Sequence, residues 1–222
     1  MVNIWGLILT IIIYFVFGNI QWLKIPVILS SSIFIVLILK MFNIEYDSYA
    51  SSSELITFFL SVATIALGHT LAKNFQLLLE NKKTILSGAI FASICSILTT
   101  YYLAKFFHLD SAIIASLLPK STTMPIAIEI SNSIKGIPEI TSCVVILAGL
   151  FGGLIGHRLL KYFKVNADVA IGFSMGATSH ILGTLRCAEK NKDKQVSIST
   201  ISLIIVGIAT AILAPVLIAI LK

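Results

Sequence analysis

Between Leu117 and Ser131 the chain runs LLPKSTTMPIAIEIS, placing a lysine, three consecutive hydroxyls, two prolines and a glutamate in a protein that is 57% hydrophobic. Pro119 and Pro125 each lack a backbone donor and disfavour helix in the residue before them, which predicts an unwound segment over Lys120 to Met124. Ser121, Thr122 and Thr123 supply caps just upstream of Pro125, a residue suited to the first helical position. A helix restarting there presents free N–H groups and the positive end of its dipole, which is the chemistry of an anion site. Charges at membrane depth cost roughly 2.5–3.5 kcal/mol each, so Lys120 and Glu129 should be paired, hydrated or functional. Glu129 falls one turn into the restarted helix, where it can pair with Lys120 or accept a coupling proton. The plainer alternative is a proline kink with hydroxyl caps, Lys120 reaching an interface and Glu129 reaching water.

A second constellation is Thr178-Ser179-His180 with Thr184 and Arg186. Histidine titrates near neutral pH and can relay a proton, and arginine can fork onto a carboxylate. The competing reading is helix packing, because Gly172 and Gly176 form a small-xxx-small pair and Ser, Thr and His bond across membrane helices. Gly149, Gly152, Gly153 and Gly156 make another glycine face, read here as packing.

These residues point to binding and not to catalysis. The chain has no Gly-x-Ser-x-Gly elbow, no phosphate loop and no His-Glu-x-x-His, so no enzymatic activity is expected. The three cysteines lie apart in apolar segments, and the four histidines share no ligand spacing with them. Neither a disulfide framework, a metal nor a cofactor is expected.

The elements that must position these groups are membrane helices. With a mean hydropathy of +1.00 and 12% charged residues, the chain has too little polar surface to cover a soluble domain. Long apolar runs occupy Asn3 to Gly18, Ile25 to Met41, Glu54 to Leu67, Thr84 to Phe107, Ile137 to Ile155 and Val196 to Leu221. They are continuous, which argues against a barrel. The first run has no basic leader before it and no cleavage pattern after it, so it is expected to remain as an anchor. Net charge is +6, from 14 lysines and two arginines set against ten acidic residues. The basic residues gather in short gaps, notably His157 to Lys164 and Arg186 to Lys194, both expected to be cytoplasmic. Basic residues at membrane edges do not make a nucleic-acid surface.

Those two basic gaps are consecutive, and a segment crossing once between them would place them on opposite sides. Asp168 to Leu185 is therefore expected not to cross completely but to form a broken or re-entrant helix facing protein. The earlier segment Glu54 to Lys73 parallels it at a shift of 114 residues, laying ATIALGHTL over ATSHILGTL. Each starts on an acidic residue and precedes a long apolar helix. This predicts two related halves, about 1–110 and 111–222, inverted with respect to each other in a single transmembrane domain. Both halves should then carry a polar interrupted segment, giving about seven or eight membrane segments. The gap Lys73 to Lys83 is as Lys-rich as Arg186 to Lys194, so loop charge does not orient the halves.

The motifs SLLPKSTTMPIAIEIS, Gly136-Ile137-Pro138 and GFSMGATSHILGTLRCAE closely resemble those of the LrgB/CidB family of bacterial membrane proteins. The resemblance covers essentially the whole chain and is strongest from Ser111 to Glu189. It departs at Gly68-His69-Thr70 and at Lys194 to Ser197. Family resemblance implies two functions. One is antiholin-like modulation of murein hydrolases with a small holin-like (LrgA/CidA-type) partner. The other is carriage of small carboxylates such as pyruvate, glycolate or glycerate, as in the related plant chloroplast translocator. The unique polar breaks favour the carrier, with Lys120, Ser121, Thr122, Thr123 and Pro125 from one stretch and Thr178, Ser179, His180, Thr184 and Arg186 from the other binding a monocarboxylate. Glu129 or His180 would carry a coupling proton. The expected setting is the bacterial cytoplasmic membrane, as a homodimer or with the holin-like partner.

Overall fold

A computed structural model of the chain describes residues 4–19, 27–190 and 192–221. Among the described residues all regular secondary structure is helical, in eleven elements. In order these are α1 (Trp5–Asn19), α2 (Val27–Met41), α3 (Tyr46–Ser52), α4 (Glu54–Lys73), α5 (Phe75–Glu80), α6 (Lys82–Phe106), α7 (Ser111–Leu117), α8 (Met124–Ser133), α9 (Pro138–Tyr162), α10 (Asp168–Ala188) and α11 (Asp193–Leu221). Every apolar run read from the sequence holds a helix.

Among the described residues four helices are long and apolar enough to cross a bilayer: α4 (20 residues), α6 (25), α9 (25) and α11 (29). At 1.5 Å per residue these reach from about 30 to about 43 Å, matching a hydrocarbon core of about 30 Å plus its interfaces. Helices α1 and α2 are equally apolar but have 15 residues each. Large side chains such as Phe91 and Ile212 stand exposed on these rods, at 71% and 63%. In water that surface would drive aggregation, whereas lipid tails are as apolar as the side chains. The protein is an all-α membrane protein.

The chain forms two compact units, Met1–Ile65 and Ala66–Lys222, with α4 beginning in the first and ending in the second. In the first, Ile13, Ile35 and Leu39 make a small core. There the Ser52 hydroxyl accepts from the Gly6 amide (3.1 Å) and Thr10 and Tyr49 share a hydrogen bond (2.7 Å).

In the second unit α11 is the central rod, with α5, α6, α8 and α10 packed on it. Its contact with α6 combines apolar and polar layers. Ala89 and Val206 are buried together, and the Thr210 hydroxyl donates to Ser93 Oγ at 3.0 Å. Such hydroxyl pairs contribute about 0.6 kcal/mol on average inside membranes. A second apolar core joins Ile97 and Tyr101 of α6, Leu118, Ile130 of α8 and Ala214 of α11.

Helices α2, α6, α8 and α9 stop in the same way. Asn43, His108, Lys135 and Lys164 take positive φ (50–64°), and the next amide reaches back to the carbonyl five residues earlier, as in Gly136 to Ser131 at 2.7 Å. This left-handed closing turn satisfies carbonyls that would otherwise be stranded.

One expectation fails here. The sequence parallel predicted a break in α4, yet α4 runs as an unbroken helix through Gly68-His69-Thr70. The reason is local: no proline interrupts it, among the described residues no atom beyond the helix's own nearby backbone lies within 4 Å of where a Gly68 side chain would stand, and Thr70 bonds back to the Ala66 carbonyl. Nothing there competes with the helix.

Candidate functional site

The break predicted from Pro119 and Pro125 is present. Helix α7 ends at Leu117 and α8 begins at Met124, with Leu118 to Thr123 non-helical between them. Thr123 occupies the capping position with extended backbone (φ −71°, ψ 148°), but its side chain makes no capping bond and Pro125 is the second helical residue, not the first. The hydroxyl caps read from the sequence are thus not formed. Thr122 bonds instead to the Pro119 carbonyl (3.0 Å), and the Thr123 hydroxyl is buried without a partner. The first bond closing α8 runs from Ala127 to Thr123 (2.9 Å), leaving the amides of Met124 and Ile126 ahead of it at the positive helix end.

A buried hydroxyl cluster holds this broken element in place. Thr141 of α9 is fully buried, with its hydroxyl 2.7 Å from Ser131 Oγ and 3.0 Å from the Ser116 carbonyl. The Ser116 hydroxyl in turn accepts from the Ile137 amide at 2.7 Å. Thr141→Val keeps the shape and strands these partners, so it is expected to destabilise the protein by about 1–3 kcal/mol, read as a lower unfolding temperature in detergent.

Lys120 points from the break toward α6. Its ammonium donates to Ser96 Oγ at 2.8 Å, and Ser96 shares a second hydrogen bond with Ser121 at 2.9 Å. Ser96 was missed in the sequence, although Ser93, Ser96 and Thr100 repeat at helical spacing on one face of α6. Among the described residues the one ion pair is Arg186 with Glu189, so Lys120 has no carboxylate partner. Glu129 is exposed and does not pair with it. Ser96→Ala removes the hydroxyl that accepts from the ammonium and is expected to destabilise the protein by about 1.5–3 kcal/mol, the worth of one hydrogen bond to a charged group, read as a lower unfolding temperature in detergent.

The second break falls at His180, whose φ of 41° and ψ of −125° are non-helical inside α10. An L residue in that region costs about 1–3 kcal/mol, and surrounding packing must hold it. The chain reverses there. Eight residues of continuous helix would separate Met175 from Gly183 by about 12 Å, yet a methyl on Gly183 would meet the Met175 carbonyl oxygen. Ser199 of α11 touches both arms: its carbonyl faces Gly176, and its hydroxyl bonds Thr184 at 2.8 Å. The polar segment read as broken or re-entrant is therefore a helical hairpin, and it is not among the helices able to cross a membrane.

The glycine face of α9 is what admits the hairpin. A Cβ on Gly149 would lie 2.7 Å from His180 Cε1, one on Gly152 would meet Ser179 Oγ, and one on Gly156 would lie 2.7 Å from Met175 Sδ. The packing role expected for these glycines is thereby specified: they let the tip of α10 sit against a neighbouring backbone.

The two breaks meet. His180 is buried, and its Nε2 lies 3.3 Å from the Lys120 carbonyl oxygen. A carbonyl only accepts, so Nε2 carries the proton in this arrangement. Of the other predicted residues, Ser179 is fully buried beside the tip, while Thr178 is exposed and bonds the Ser174 carbonyl at 2.8 Å. Arg186, half-exposed, pairs with Glu189 and does not join the Lys120–His180 contact. Among the described residues no group of three or more His, Cys, Asp or Glu side chains is arranged to hold a metal ion.

The family model described as "LrgB-like family" matches residues 8–220. A protein of Haemophilus influenzae called "Uncharacterized protein" is 39% identical over 178 residues, 80% of this chain and 77% of the relative. "Uncharacterized protein YwbG" of Bacillus subtilis is 33% identical over 190 residues (86% and 84%). "Antiholin-like protein LrgB" of Bacillus mycoides is 35% identical over 180 residues (81% and 78%). No solved structure matches the chain.

Proposed function

The chain belongs to the LrgB-like family, and from that premise we propose that it carries small monocarboxylates of the pyruvate, glycolate or glycerate kind across the bacterial cytoplasmic membrane, without enzymatic chemistry. One observation supports this above the others: a lysine with no carboxylate partner among the described residues, held by Ser96, has its backbone against a buried histidine from a second broken helix. An unmatched ammonium at membrane depth is costly. An anion that pairs with it offsets the cost, and a site that is paid for only when occupied is what a carrier uses. Ser121, Thr122 and Thr123 and the start of α8 complete the anion side, with Thr178, Ser179 and Thr184 contributed by α10 and Arg186 at the approach. His180, or Glu129 on the exposed face of α8, takes the coupling proton.

In this reading the four long helices, α1, α2 and the two broken elements make about eight membrane segments, and α10 is a re-entrant hairpin. The repeat also gains support from element order. The 114 residues between Glu54 and Asp168 carry α4 onto α10 and α6 onto α11, although α4 itself is unbroken. The homodimer is part of the same proposal.

The test is uptake by liposomes containing the purified chain. Labelled pyruvate or glycolate should accumulate under an inward pH gradient and not in protein-free vesicles. Absence of uptake for every small monocarboxylate ends the carrier reading.

A second reading is favoured by the relatives named antiholin-like: control of murein hydrolases and lysis together with a holin-like (LrgA/CidA-type) membrane partner. It predicts partner-dependent lysis that survives loss of carboxylate uptake in Lys120 variants.

A further inference from the structure

Helices α6 and α11 lie side by side and run the same way. Ile85 packs with Ile198 and Ile201, Ala89 with Val206, Ser93 bonds Thr210, and the Tyr101 hydroxyl donates to the Leu221 carbonyl. This pair, matched by the 114-residue shift, is therefore not inverted. The first arm of α10 follows α11 in the same direction, from Gln195 on Asp168 (2.7 Å) to Ala177 beside Val206. Helix α9 runs the other way, since Gly156 abuts Met175 and Gly149 abuts His180. Helix α10 thus enters from the end where α6 and α11 begin and α9 finishes. Its tip at His180, twelve residues on from Asp168, lies about 18 Å in.

The α7–α8 element enters from the opposite end. The chain leaves α6 at Phe106 and comes back through α7 until Lys120 reaches Ser96, ten residues or about 15 Å from that end. Helix α8 then leads out again, passing Gly207 at Ile126 and bonding Ser131 to Thr141 in the first turn of α9. Both tips stop near the middle of a core about 30 Å thick, where Nε2 of His180 meets the Lys120 carbonyl. Lys82 and Lys83, Lys161 and Lys164, and Lys192 and Lys194 crowd the end where α10 enters, against Lys105 and Lys135 at the other. By the positive-inside rule, α10 opens to the cytoplasm and α7–α8 to the outside.

Resting on the carrier reading above, we propose that α7–α8 and α10 are opposed gates on one path, the outer gate latched shut by Lys120 on Ser96. The base of the outer hairpin is fixed by the buried Ser116, Ser131 and Thr141 cluster. Its tip is non-helical and is tied to α6 and α10 through Lys120 and Ser121. A carboxylate drawn to the ammonium competes with Ser96 for it, so occupancy of the site releases the latch.

Side-specific labelling with a membrane-impermeant maleimide tests this without transport, on the full chain with Cys95, Cys143 and Cys187 replaced by alanine. In intact cells Lys135→Cys, in the exposed turn before α9, should react, and Asn166→Cys, in the exposed turn before α10, only in inside-out vesicles. Thr122→Cys and Ser179→Cys replace fully buried tip residues and should react slowly, the first only from outside and the second only from the cytoplasm. Ser96→Ala should raise the rate at Thr122→Cys at least about tenfold, the effect of losing a hydrogen bond to a charged group, and leave the other three rates unchanged. If Thr122→Cys is not monodisperse in detergent, Ser121→Cys reads the same tip. Reaction of both turn positions from one side, reaction of the 122 tip from the cytoplasm or from neither side, or no effect of Ser96→Ala overturns the inference, and retained monocarboxylate uptake then leaves the carrier reading standing. The predicted labelling without uptake overturns the carrier reading alone.

Discussion

Lys120→Met is expected to lower monocarboxylate uptake about 10- to 150-fold while leaving the unfolding temperature in detergent unchanged or higher. The magnitude follows from the loss of one hydrogen bond to a charged group, about 1.5–3 kcal/mol. The sign on stability follows from the setting. Lys120 donates to Ser96 but has no carboxylate partner among the described residues, so the protein by itself holds a charge whose burial is only partly offset. Methionine keeps the unbranched stem against its neighbours and removes that charge. Activity and stability should therefore move in opposite directions, which a merely structural lysine would not allow. Lys120→Arg should not rescue, because a planar fork cannot occupy the 2.8 Å contact to one hydroxyl in the way a compact ammonium does. Uptake that survives Lys120→Met, with substrate dependence intact, would show that the anion site lies elsewhere.

How much of this arrangement the sequence discloses depends on how local its causes are. The break between α7 and α8 is legible because Pro119 and Pro125 impose it through their own backbones. That α10 turns back is legible more indirectly, from two consecutive basic gaps and the polar residues between them. The residue at which it turns is not. His180 carries no intrinsic tendency toward φ 41°, and what holds it there is the glycine face of α9, about 30 residues earlier, together with the Lys120 carbonyl. The reverse error at α4 has the same origin. Its letters resemble those of α10, but the conformation of such a segment is decided by what packs on it, and nothing approaches Gly68. Ser96 escaped notice because an isolated serine in an apolar helix usually bonds back to its own carbonyls, and its role as the lysine's partner is a long-range fact. Arg186 illustrates the opposite case, a residue whose chemistry suited the site but whose neighbour Glu189 lies within a helical turn.

Because the hairpin is a product of close backbone approach, Gly183→Ala should be strongly damaging. A methyl there would run into the Met175 carbonyl oxygen and come within 3.0 Å of Ser179 Cβ, on the facing arm of the same hairpin. Backbone cannot rotate away as a side-chain tip can, so the arms must separate. Overpacking of this kind costs about 1–3 kcal/mol, and separation moves His180 off the Lys120 carbonyl and Thr184 off Ser199. Gly68→Ala is the control, since open space surrounds that position and alanine is the better helix former. The expected outcome is a lower unfolding temperature and lost uptake for Gly183→Ala, with Gly68→Ala equal to or slightly more stable than the parent and fully active. Equal behaviour of the two variants would mean that α10 does not double back at His180. Gly152→Ala separates the remaining possibilities. Its methyl would meet the Ser179 hydroxyl, a group that can turn aside, so a partial loss there alongside a full loss at Gly183 traces the damage to the reversal of the backbone and not to crowding of the tip.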